Sequence, residues 1–324
     1  MDIPSSSVLI VGTGAMASLF AARFVSSGIQ VKMLGTWTEG IQTLRESGVR
    51  LTDKDGSDTI YPVIATQNPQ ECVGSKFALV LVKAYQTQRV AEQLKSCLAE
   101  DGLALTLQNG LENDTLLAAV LGKKRVAAGV TTIGATLLEP GWVRDGGDGI
   151  ISLAQHDQIN FINDILTKSG FVVNIVDDTQ SLVWGKLVVN AAINPLTALL
   201  RIPNGELLTQ RSAHKLMRLV TQETVNVAAS IGVNLPYPDP VSVVESVAER
   251  TASNNSSMLK DVLRGSPTEI DAINGAVVTI GDRENVPVQI NRTLWLLINA
   301  IERTSNSHGK AEDGDILPEL AAAR

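Results

Sequence analysis

The stretch VLIVGTGAMA, residues 8 to 17, decides the fold of this chain. Its apolar start, VLIV, is typical of a strand buried in a parallel sheet. The next six residues match the pattern G-x-G-x-x-G/A between a strand and a helix, and they are Gly12, Thr13, Gly14, Ala15, Met16 and Ala17. In this pattern the first glycine permits a tight turn, and the second lets backbone amides approach a pyrophosphate. The stretch therefore predicts a dinucleotide-binding loop, against the alternative of an ordinary tight turn.

Strand-like and helix-like segments alternate through the first half of the chain, which is the pattern of a parallel sheet covered by helices. We predict helices over residues 15–27, ending at Gly28, and over residues 86–98. Strands are predicted at IQVKML (29–34), FALVLVK (77–83) and LALTL (103–107), and later at VAAGVTTIG, IISLA and FVVNIV. The segment GWVRDGGDG is predicted to be rich in turns. These features indicate an α/β fold with an N-terminal Rossmann-type domain.

Helical periodicity replaces the strand pattern after about Asp177. We therefore predict a Rossmann NAD(P)-binding domain over residues 1–177 and an all-helical C-terminal domain over residues 178–303. Its helices are expected near residues 181–201, 211–231, 240–252, 257–264, 267–282 and 288–303. Residues 304–324 are expected to form a flexible tail.

Composition excludes several classes of function. The chain has 324 residues, 44% of them hydrophobic and 19% charged, as in an ordinary soluble protein. No long uninterrupted apolar run and no secretory signal are visible, so we expect no membrane span and a cytoplasmic location. The net charge of −7 argues against nucleic acid as a partner. Two cysteines and three histidines, none with ligand spacing, predict no metal site.

The residues after the second predicted strand leave the type of dinucleotide open. NAD-binding units place Asp or Glu there for the ribose hydroxyls, and an Arg nearby indicates the NADP phosphate. Here Leu34 is followed by Gly35, Thr36, Trp37 and Thr38. Thr36 and Thr38 can hydrogen-bond either form. Glu39 can serve the NAD ribose or simply begin a solvated helix.

Lys83 and Asn109 follow two further predicted strands. Ligands of doubly wound sheets bind beyond the carboxyl ends of the strands, so both residues are candidates for the nicotinamide site. The alternatives are a lysine extending into solvent from a strand end and an Asn-Gly turn, and these residues alone favour the alternatives.

A polar stripe interrupts the apolar segment WGKLVVNAAINP, residues 184 to 195. On a helix, Lys186, Asn190, Asn194 and Thr197 fall within about 80° of arc. The other faces of this helix are apolar, so it is expected to be buried, and an unpaired amide there is costly. Asparagine is a poor helix former and an odd choice for a solvated face. We therefore favour a ligand cleft over a solvated surface.

The motifs together resemble one known family, the ketopantoate reductases, also called 2-dehydropantoate 2-reductases. The matching residues run in the family's order over nearly the whole chain: GTGAMA (12–17), VKAYQT (82–87), QNG (108–110), WGKLVVNAAINPLTALL (184–200), PNGEL (203–207), SSMLKDVLRG (256–265) and TEIDAING (268–275). This combination is more specific than any single motif. It therefore overturns the alternatives given above for Lys83 and Asn109.

The resemblance implies a role for each matching residue. Lys186 matches the general acid that protonates the substrate carbonyl oxygen as hydride arrives, and Glu269 matches the second catalytic carboxylate, which holds the substrate hydroxyl. The residues matching the family's substrate contacts are Asn190, Asn194, Asn204 and, for the carboxylate, Ser257. Lys83 and Asn109 match residues that line the nicotinamide and the keto acid. A lysine suits the acid role because a ketone reduction leaves an alkoxide that needs both a cation and a proton.

Two local alternatives remain beside these roles. Ser266, Pro267, Thr268 and Glu269 form a capping-box pattern, so Glu269 could serve its own helix start. Ser256 and Ser257 could likewise be N-caps of the next helix.

The resemblance implies an NAD(P)H-dependent reductase that converts 2-dehydropantoate to pantoate for pantothenate and coenzyme A synthesis, in a cleft between the two domains. NADPH is the expected cofactor, and NADH stays open because Thr36-Trp37-Thr38 stands where the family often has an Arg. One alternative is a reductase of another branched 2-keto acid. A second, of another class, is a dinucleotide sensor without catalysis. A homodimer is one option for the assembly.

Overall fold

A computed structural model describes residues 7–308 of the chain, with side chains from residue 7 to residue 304. The chain forms two compact units, of which the first ends at Lys186 and the second begins at Leu187. A single helix, Thr179–Leu200, runs through this boundary.

The first unit contains all the strands of residues 7–308. They are β1 (Val8–Val11), β2 (Val31–Leu34), β3 (Val49–Thr52), β4 (Asp58–Tyr61), β5 (Ile64–Thr66), β6 (Ser75–Val80), β7 (Leu98–Thr106), β8 (Val126–Thr131), β9 (Ala135–Glu139), β10 (Trp142–Asp145), β11 (Ile150–Ala154) and β12 (Val172–Val176). The large sheet has eight strands in the order β12-β11-β8-β7-β6-β1-β2-β5. Its strands from β5 to β8 are parallel, so their carboxyl ends share one edge. This order changes direction between β1 and β6, where doubly wound sheets bind their ligands.

Helices cover both faces of the large sheet. The five α-helices of the first unit before residue 179 are α1 (Ala15–Ser26), α2 (Thr38–Ser47), α3 (Thr87–Cys97), α4 (Asn113–Leu121) and α5 (Ile159–Lys168). Alternate residues of β1 enter two different cores, because side chains of a strand alternate between faces. Val8 and Ile10 pack with Phe20 of α1, and Leu9 and Val11 pack in the cluster that contains Leu94 of α3. The Rossmann-type fold predicted from the sequence is confirmed.

A second sheet, in the order β4-β3-β10-β9, was not predicted. The turn-rich prediction for GWVRDGGDG is wrong over its first half, because Trp142–Asp145 is β10. Its pairing is set by contacts distant in sequence. The indole of Trp142 donates a 2.8 Å hydrogen bond to the hydroxyl of Thr52, and the Arg50 guanidinium lies 3.9 Å from the Trp142 ring centroid.

The secondary structure of the second unit, over its described residues, consists of helices, as predicted. Its helices, counting the shared one, are α6 (Thr179–Leu200), α7 (Glu206–Thr209), α8 (Arg211–Ser230), α9 (Pro240–Arg250), α10 (Ser257–Leu263), α11 (Ala276–Glu284) and α12 (Gln289–His308). A π-helix, Asp271–Gly275, leads into α11, so the helical segment expected from residue 267 begins four residues later. Helix α12 continues to His308, which places the first five residues of the predicted tail in a helix. The rest of that tail, residues 309–324, lies outside the described residues.

One helix of the described chain, α6, is long and apolar enough to cross a membrane, contrary to the sequence-based expectation that no segment would be. Its most apolar window has a mean hydropathy of 1.3, and 67% of that window is buried inside the structure. A buried core helix meets the same criteria of length and composition, so the finding is weak evidence for a span.

Candidate functional site

The glycine loop joins β1 to α1 with the geometry that a dinucleotide requires. Gly12 has φ +132°, and a Cβ there would lie 3.1 Å from the carbonyl oxygen of Leu81. Gly14 is the residue before α1, and no described atom lies within 4 Å of the place where its Cβ would be. A side chain at Gly14 would therefore enter open space beside the start of α1, where the partial positive charge of the helix end suits a pyrophosphate. Gly12 thus forms the tight turn predicted from the sequence, and the approach of a pyrophosphate to Gly14 stays a prediction.

The loop after β2 lies against this glycine loop. A Cβ on Gly35 would lie 2.6 Å from Cγ2 of Thr13, so the two loops leave no room for a side chain there. The amide of Gln67 donates to the carbonyl of Thr36 (3.3 Å) and to the hydroxyl of Thr38 (3.1 Å). Gln67 thus holds the segment that contains Thr36 and Thr38, the residues predicted from the sequence to contact the ribose or phosphate of the dinucleotide. The sequence reasoning did not identify Gln67.

A polar network fixes the two loops that follow β6 and β7. Nε2 of Gln108 donates to the carbonyl of Val82 (3.0 Å) and to the hydroxyl of Thr87 (2.9 Å). Thr87 in turn donates to Oδ1 of Asn113 (2.8 Å), and Nδ2 of Asn113 donates to the carbonyl of Asn109 (2.9 Å). The network holds the backbone just before Lys83 and at Asn109. The sequence offered one hint of it, a glutamine directly before the Asn-Gly pair.

The ammonium of Lys186 lies at the same edge of the sheet. It donates a 2.7 Å hydrogen bond to the carbonyl of Thr131, the last residue of β8. The carboxyl edge of the parallel strands therefore carries four predicted elements of the first unit: the glycine loop, Lys83, Asn109 and the Lys186 ammonium. The glycine loop lies at the topological switch point of the sheet, and the Lys186 ammonium lies at the same edge, at the end of β8.

The polar stripe of α6 becomes more buried along the helix. Lys186 and Asn190 are half-buried, Asn194 is 6% exposed and Thr197 is fully buried. Thr197 is not available to a ligand, because its hydroxyl donates a 2.7 Å hydrogen bond to Oγ of Ser256. The predicted polar stripe therefore has two parts. Lys186 and Asn190 are partly accessible, whereas the hydroxyl of Thr197 is hydrogen-bonded inside the protein.

Ser256 is the N-cap of α10, since its Oγ accepts a hydrogen bond from the amide of Leu259 (3.0 Å). Ser257 begins the helix and is exposed. Of the two serines that the sequence offered as N-caps, Ser256 is therefore the one that caps the helix.

One turn further along α10, burial together with the charge of Arg264 lowers the pKa of the Lys260 ammonium.

Asn204 and Glu269 are both buried polar residues of the second unit, 7% and 6% exposed. Nδ2 of Asn204 donates to the hydroxyl of Thr251 (2.8 Å), while its buried Oδ1 has no hydrogen-bond partner among the described residues. Glu269 precedes the π-helix rather than lying in a first α-helical turn, so the predicted capping box does not begin a helix here. The hydroxyl of Thr268 accepts a hydrogen bond from the amide of Ile270 (3.2 Å), the residue directly before the π-helix.

Two family models match the chain. Residues 8–158 match the model described as ketopantoate reductase PanE/ApbA, and residues 178–302 match its C-terminal counterpart. Curated relatives agree with this match. The 2-dehydropantoate 2-reductase of Archaeoglobus fulgidus is 34% identical over 91% of this chain and 97% of its own length, and that of Halobacterium salinarum is 33% identical over 91% and 99%.

Solved structures show the same fold. A PanE/ApbA family ketopantoate reductase from Ralstonia eutropha superposes with a TM-score of 0.87 at 32% identity, covering 93% of this chain and 99% of its own. A D-mandelate dehydrogenase, solved with NADH and anilino(oxo)acetate, superposes with a TM-score of 0.87 at 25% identity over the same shares of the two chains.

Proposed function

The chain belongs to the ketopantoate reductase family, and we propose that it reduces 2-dehydropantoate to pantoate with a nicotinamide dinucleotide. One observation carries the proposal. The Lys186 ammonium is held at the carboxyl edge of the parallel strands, and the helix that bears it continues into Asn190 and Asn194. A proton donor and two amides on one helix, in a chain that also carries a dinucleotide loop, suit the reduction of a polar ketone.

The residues of the glycine loop fit a dinucleotide. The open space at Gly14 and the first turn of α1 accept a pyrophosphate, and the absence of a Cβ at Gly12 lets the loop pack against Leu81. When bound, the reduced cofactor supplies a hydride to the ketone carbon. Lys83 and Asn109 line the nicotinamide in this proposal, on loops that Gln108 and Asn113 hold.

We propose NADPH as the preferred cofactor, with NADH as the alternative. No acidic residue follows β2 until Glu39, which is exposed in the first turn of α2. A carboxylate at the strand end would repel the 2′-phosphate of NADPH, and Thr36 and Thr38 stand there instead. The alternative is supported by the D-mandelate dehydrogenase of similar fold, whose structure contains NADH.

Lys186 is the proposed general acid. Hydride addition turns the ketone oxygen into an alkoxide, and the ammonium stabilises that charge and then transfers its proton to the oxygen. The carbonyl of Thr131 accepts one of the three ammonium protons, which restricts where the other two point.

The substrate is held by polar groups of the second unit in this proposal. Asn190 and Asn194 bind its hydroxyl and carboxylate end with Asn204, and Ser257 contacts the carboxylate. Glu269 accepts a hydrogen bond from the hydroxyl of the substrate. Exposed Ser257 and half-buried Asn190 are accessible without rearrangement of their own side chains.

A panel of keto acids tests the proposal. The loss of reduced cofactor is followed with 2-dehydropantoate, with 2-oxoisovalerate, which lacks the hydroxymethyl group, and with pyruvate, using NADPH and NADH in parallel. We expect the highest kcat/KM for 2-dehydropantoate with NADPH. If the protein reduces none of the acids with either cofactor, the proposal is wrong.

A second candidate function is the reduction of a different 2-keto acid on the same fold, because the D-mandelate dehydrogenase superposes as well as the ketopantoate reductase does. The oxidation of D-mandelate with NAD and with NADP is therefore added to the panel. A kcat/KM for D-mandelate above that for pantoate would favour this candidate.

A further inference from the structure

Helix α6 lacks one backbone hydrogen bond next to Asn190 and Asn194, the two asparagines proposed to bind the substrate. Pro195 lies inside the helix and has no amide hydrogen. The carbonyl four residues earlier, that of Ala191, therefore loses its partner within the helix. Ala191 is fully buried, so water does not replace the lost donor. An unsatisfied carbonyl in such a place is costly.

The side chain of Asn274 supplies the missing donor. Its Nδ2 lies 3.1 Å from the carbonyl oxygen of Ala191 and donates to it. The same Nδ2 donates to Oδ1 of Asn291 at 3.0 Å. Asn274 and Asn291 are both fully buried. The hydrogen bond lost to a proline of α6 is thus replaced from another helical segment.

The orientation of the Asn274 amide is fixed by its acceptors. Both its hydrogens meet oxygen atoms, whereas Oδ1 of Asn274 is buried with no partner among residues 7–304. A flipped amide would place this oxygen against the carbonyl of Ala191 and against Oδ1 of Asn291, which is repulsive. The cost of leaving Oδ1 of Asn274 unsatisfied is offset by the two hydrogen bonds that its Nδ2 donates.

A carboxylate anchors the other end of this network. Glu223 of α8 accepts from the backbone amide and from Nδ2 of Asn291, both at 2.9 Å, and from the amide of Ile290 at 3.0 Å. It thereby caps the first turn of α12 and holds Asn291 by two bonds. Because Asn291 is held in this way, its Oδ1 presents a fixed acceptor to Asn274.

Asn274 lies in the π-helix that follows Glu269. The amide of Gly275 donates to the carbonyl of Ile270 across five residues, and the amide of Ile273 donates to the carbonyl of Glu269 at 3.1 Å. Glu269 and Asn274 therefore lie in two overlapping hydrogen-bonded turns, residues 269–273 and 270–275. π-Helical turns of this kind occur frequently at functional sites, because the extra residue redirects side chains.

We propose that Asn274 is a positioning residue of the reaction, and that its amide fixes the segment bearing Glu269 against the helix segment bearing Asn190 and Asn194. Asn190 directly precedes Ala191, whose carbonyl accepts the hydrogen bond from Asn274. Asn194 directly precedes Pro195, which has no amide hydrogen to donate to that carbonyl. The inference rests on the proposed function, since it concerns the placement of groups that bind the keto acid. It assigns no contact between Asn274 and the substrate.

A double-mutant cycle tests the inference on the full chain. In Asn274→Leu the carbonyl of Ala191 loses its donor, while in Pro195→Ala the helix supplies an amide to that same carbonyl. We expect Asn274→Leu to lower kcat/KM for 2-dehydropantoate by about ten- to a hundredfold, because small displacements of binding groups are expensive in rate. The dissociation constant of NADPH, measured by fluorescence, stays unchanged. Pro195→Ala in the Asn274→Leu background restores most of the lost kcat/KM.

Two results would overturn the inference. The first is an Asn274→Leu variant with wild-type kcat/KM, and the second is a double variant no better than Asn274→Leu alone. A purely structural role would lower Tm and leave the kinetics of the folded protein unchanged. Where Asn274→Leu does not fold, Asn274→Ser, which is polar but too short to reach Ala191, takes its place in the same cycle.

The failure of the proposed function gives a different pattern. In that case the wild type itself reduces none of the keto acids, and the cycle is read from Tm alone. We then expect Pro195→Ala to recover the Tm lost in Asn274→Leu, because both changes act on one carbonyl. Strictly additive Tm changes would overturn the coupling between Asn274 and the Pro195 break, and with it the positioning role.

Discussion

The ammonium of Lys186 donates a 2.7 Å hydrogen bond to the backbone carbonyl of Thr131. This bond joins helix α6, which carries Lys186, to the end of a parallel strand, because Thr131 is the last residue of β8. The acceptor is a main-chain atom held in the sheet by the pairing of β8 with β7 and β11. The proposed acid therefore has a resting position set by backbone geometry rather than by a mobile side chain.

Alanine substitutions at Gly12 and Gly14 are expected to have different effects, one on stability and the other on cofactor binding. Gly14 has φ −85° and ψ −171°, which alanine adopts freely, and its Cβ would enter open space. Gly14→Ala should leave Tm within about 2 °C of wild type, because it disturbs no packing. It should raise KM for NADPH about tenfold or more, since the methyl group occupies the approach of the pyrophosphate to the backbone.

Gly12→Ala is the matched control for that change. Its φ of +132° and the 3.1 Å approach to the Leu81 carbonyl predict a loss of about 1–3 kcal/mol in the free energy of unfolding. Urea unfolding and cofactor titration of both variants check the contrast. A Gly14→Ala protein with wild-type KM for NADPH would contradict the placement of the cofactor.

The Gln108 network predicts a coupled loss of stability and rate. Gln108→Met keeps the length of the side chain but removes the donors to Val82 and Thr87. We expect the free energy of unfolding to fall by about 1–2 kcal/mol and kcat to fall about tenfold, because the loops with Lys83 and Asn109 lose their support. Gln42→Met, at an exposed helix position, is the control and should change neither quantity. Equal kinetics in the two variants would refute the supporting role of Gln108.

Glu269 is expected to discriminate between substrates. The proposed hydrogen bond joins its carboxylate to a hydroxyl that 2-oxoisovalerate lacks. Glu269→Gln should therefore lower kcat/KM for 2-dehydropantoate by about ten- to a hundredfold. The same substitution should change kcat/KM for 2-oxoisovalerate by less than about threefold, since no bond to that substrate is lost. Equal losses with both substrates would show that Glu269 acts elsewhere than at the hydroxyl.

The two cysteines are expected to be inert in the native protein. Cys72 and Cys97 are each 1% exposed, and burial raises the pKa of the Cys97 thiol to about 11. A raised thiol pKa means less thiolate, so about one Cys97 in a thousand is ionised at pH 8. Labelling with a disulfide reagent at pH 8 should be slow in the native state and complete after unfolding. Full labelling of the native protein within minutes would contradict this burial.

The sequence predicted the large sheet well and the small sheet not at all. Strand β1 and the last four residues of β6 are continuous apolar runs, which are typical of strands buried in the parallel sheet of an α/β protein. The strands of the small sheet are four or five residues long and are stabilised by distant pairs such as Trp142 with Thr52. Local patterns carry no information about such pairs.

The candidate site was predictable where it consists of side chains in a spaced pattern. The stripe that begins with Lys186 and Asn190 follows from helical periodicity alone. The carbonyl of Thr131 has no residue pattern, because every residue has a carbonyl group. The proposed role of Asn274 depends on a contact between two segments far apart in the chain, which local sequence patterns do not reveal.

The most direct test of the account is the rate of a single turnover, in which enzyme-bound NADPH reduces 2-dehydropantoate, for wild type, Lys186→Gln and Lys186→Arg. Gln cannot supply a proton, and Arg supplies a cation that does not release one near neutral pH. We predict a rate about 10²- to 10⁴-fold lower in Lys186→Gln and a loss nearly as large in Lys186→Arg, with NADPH binding retained in both. A Lys186→Gln protein that keeps more than about a tenth of the wild-type rate would contradict the account.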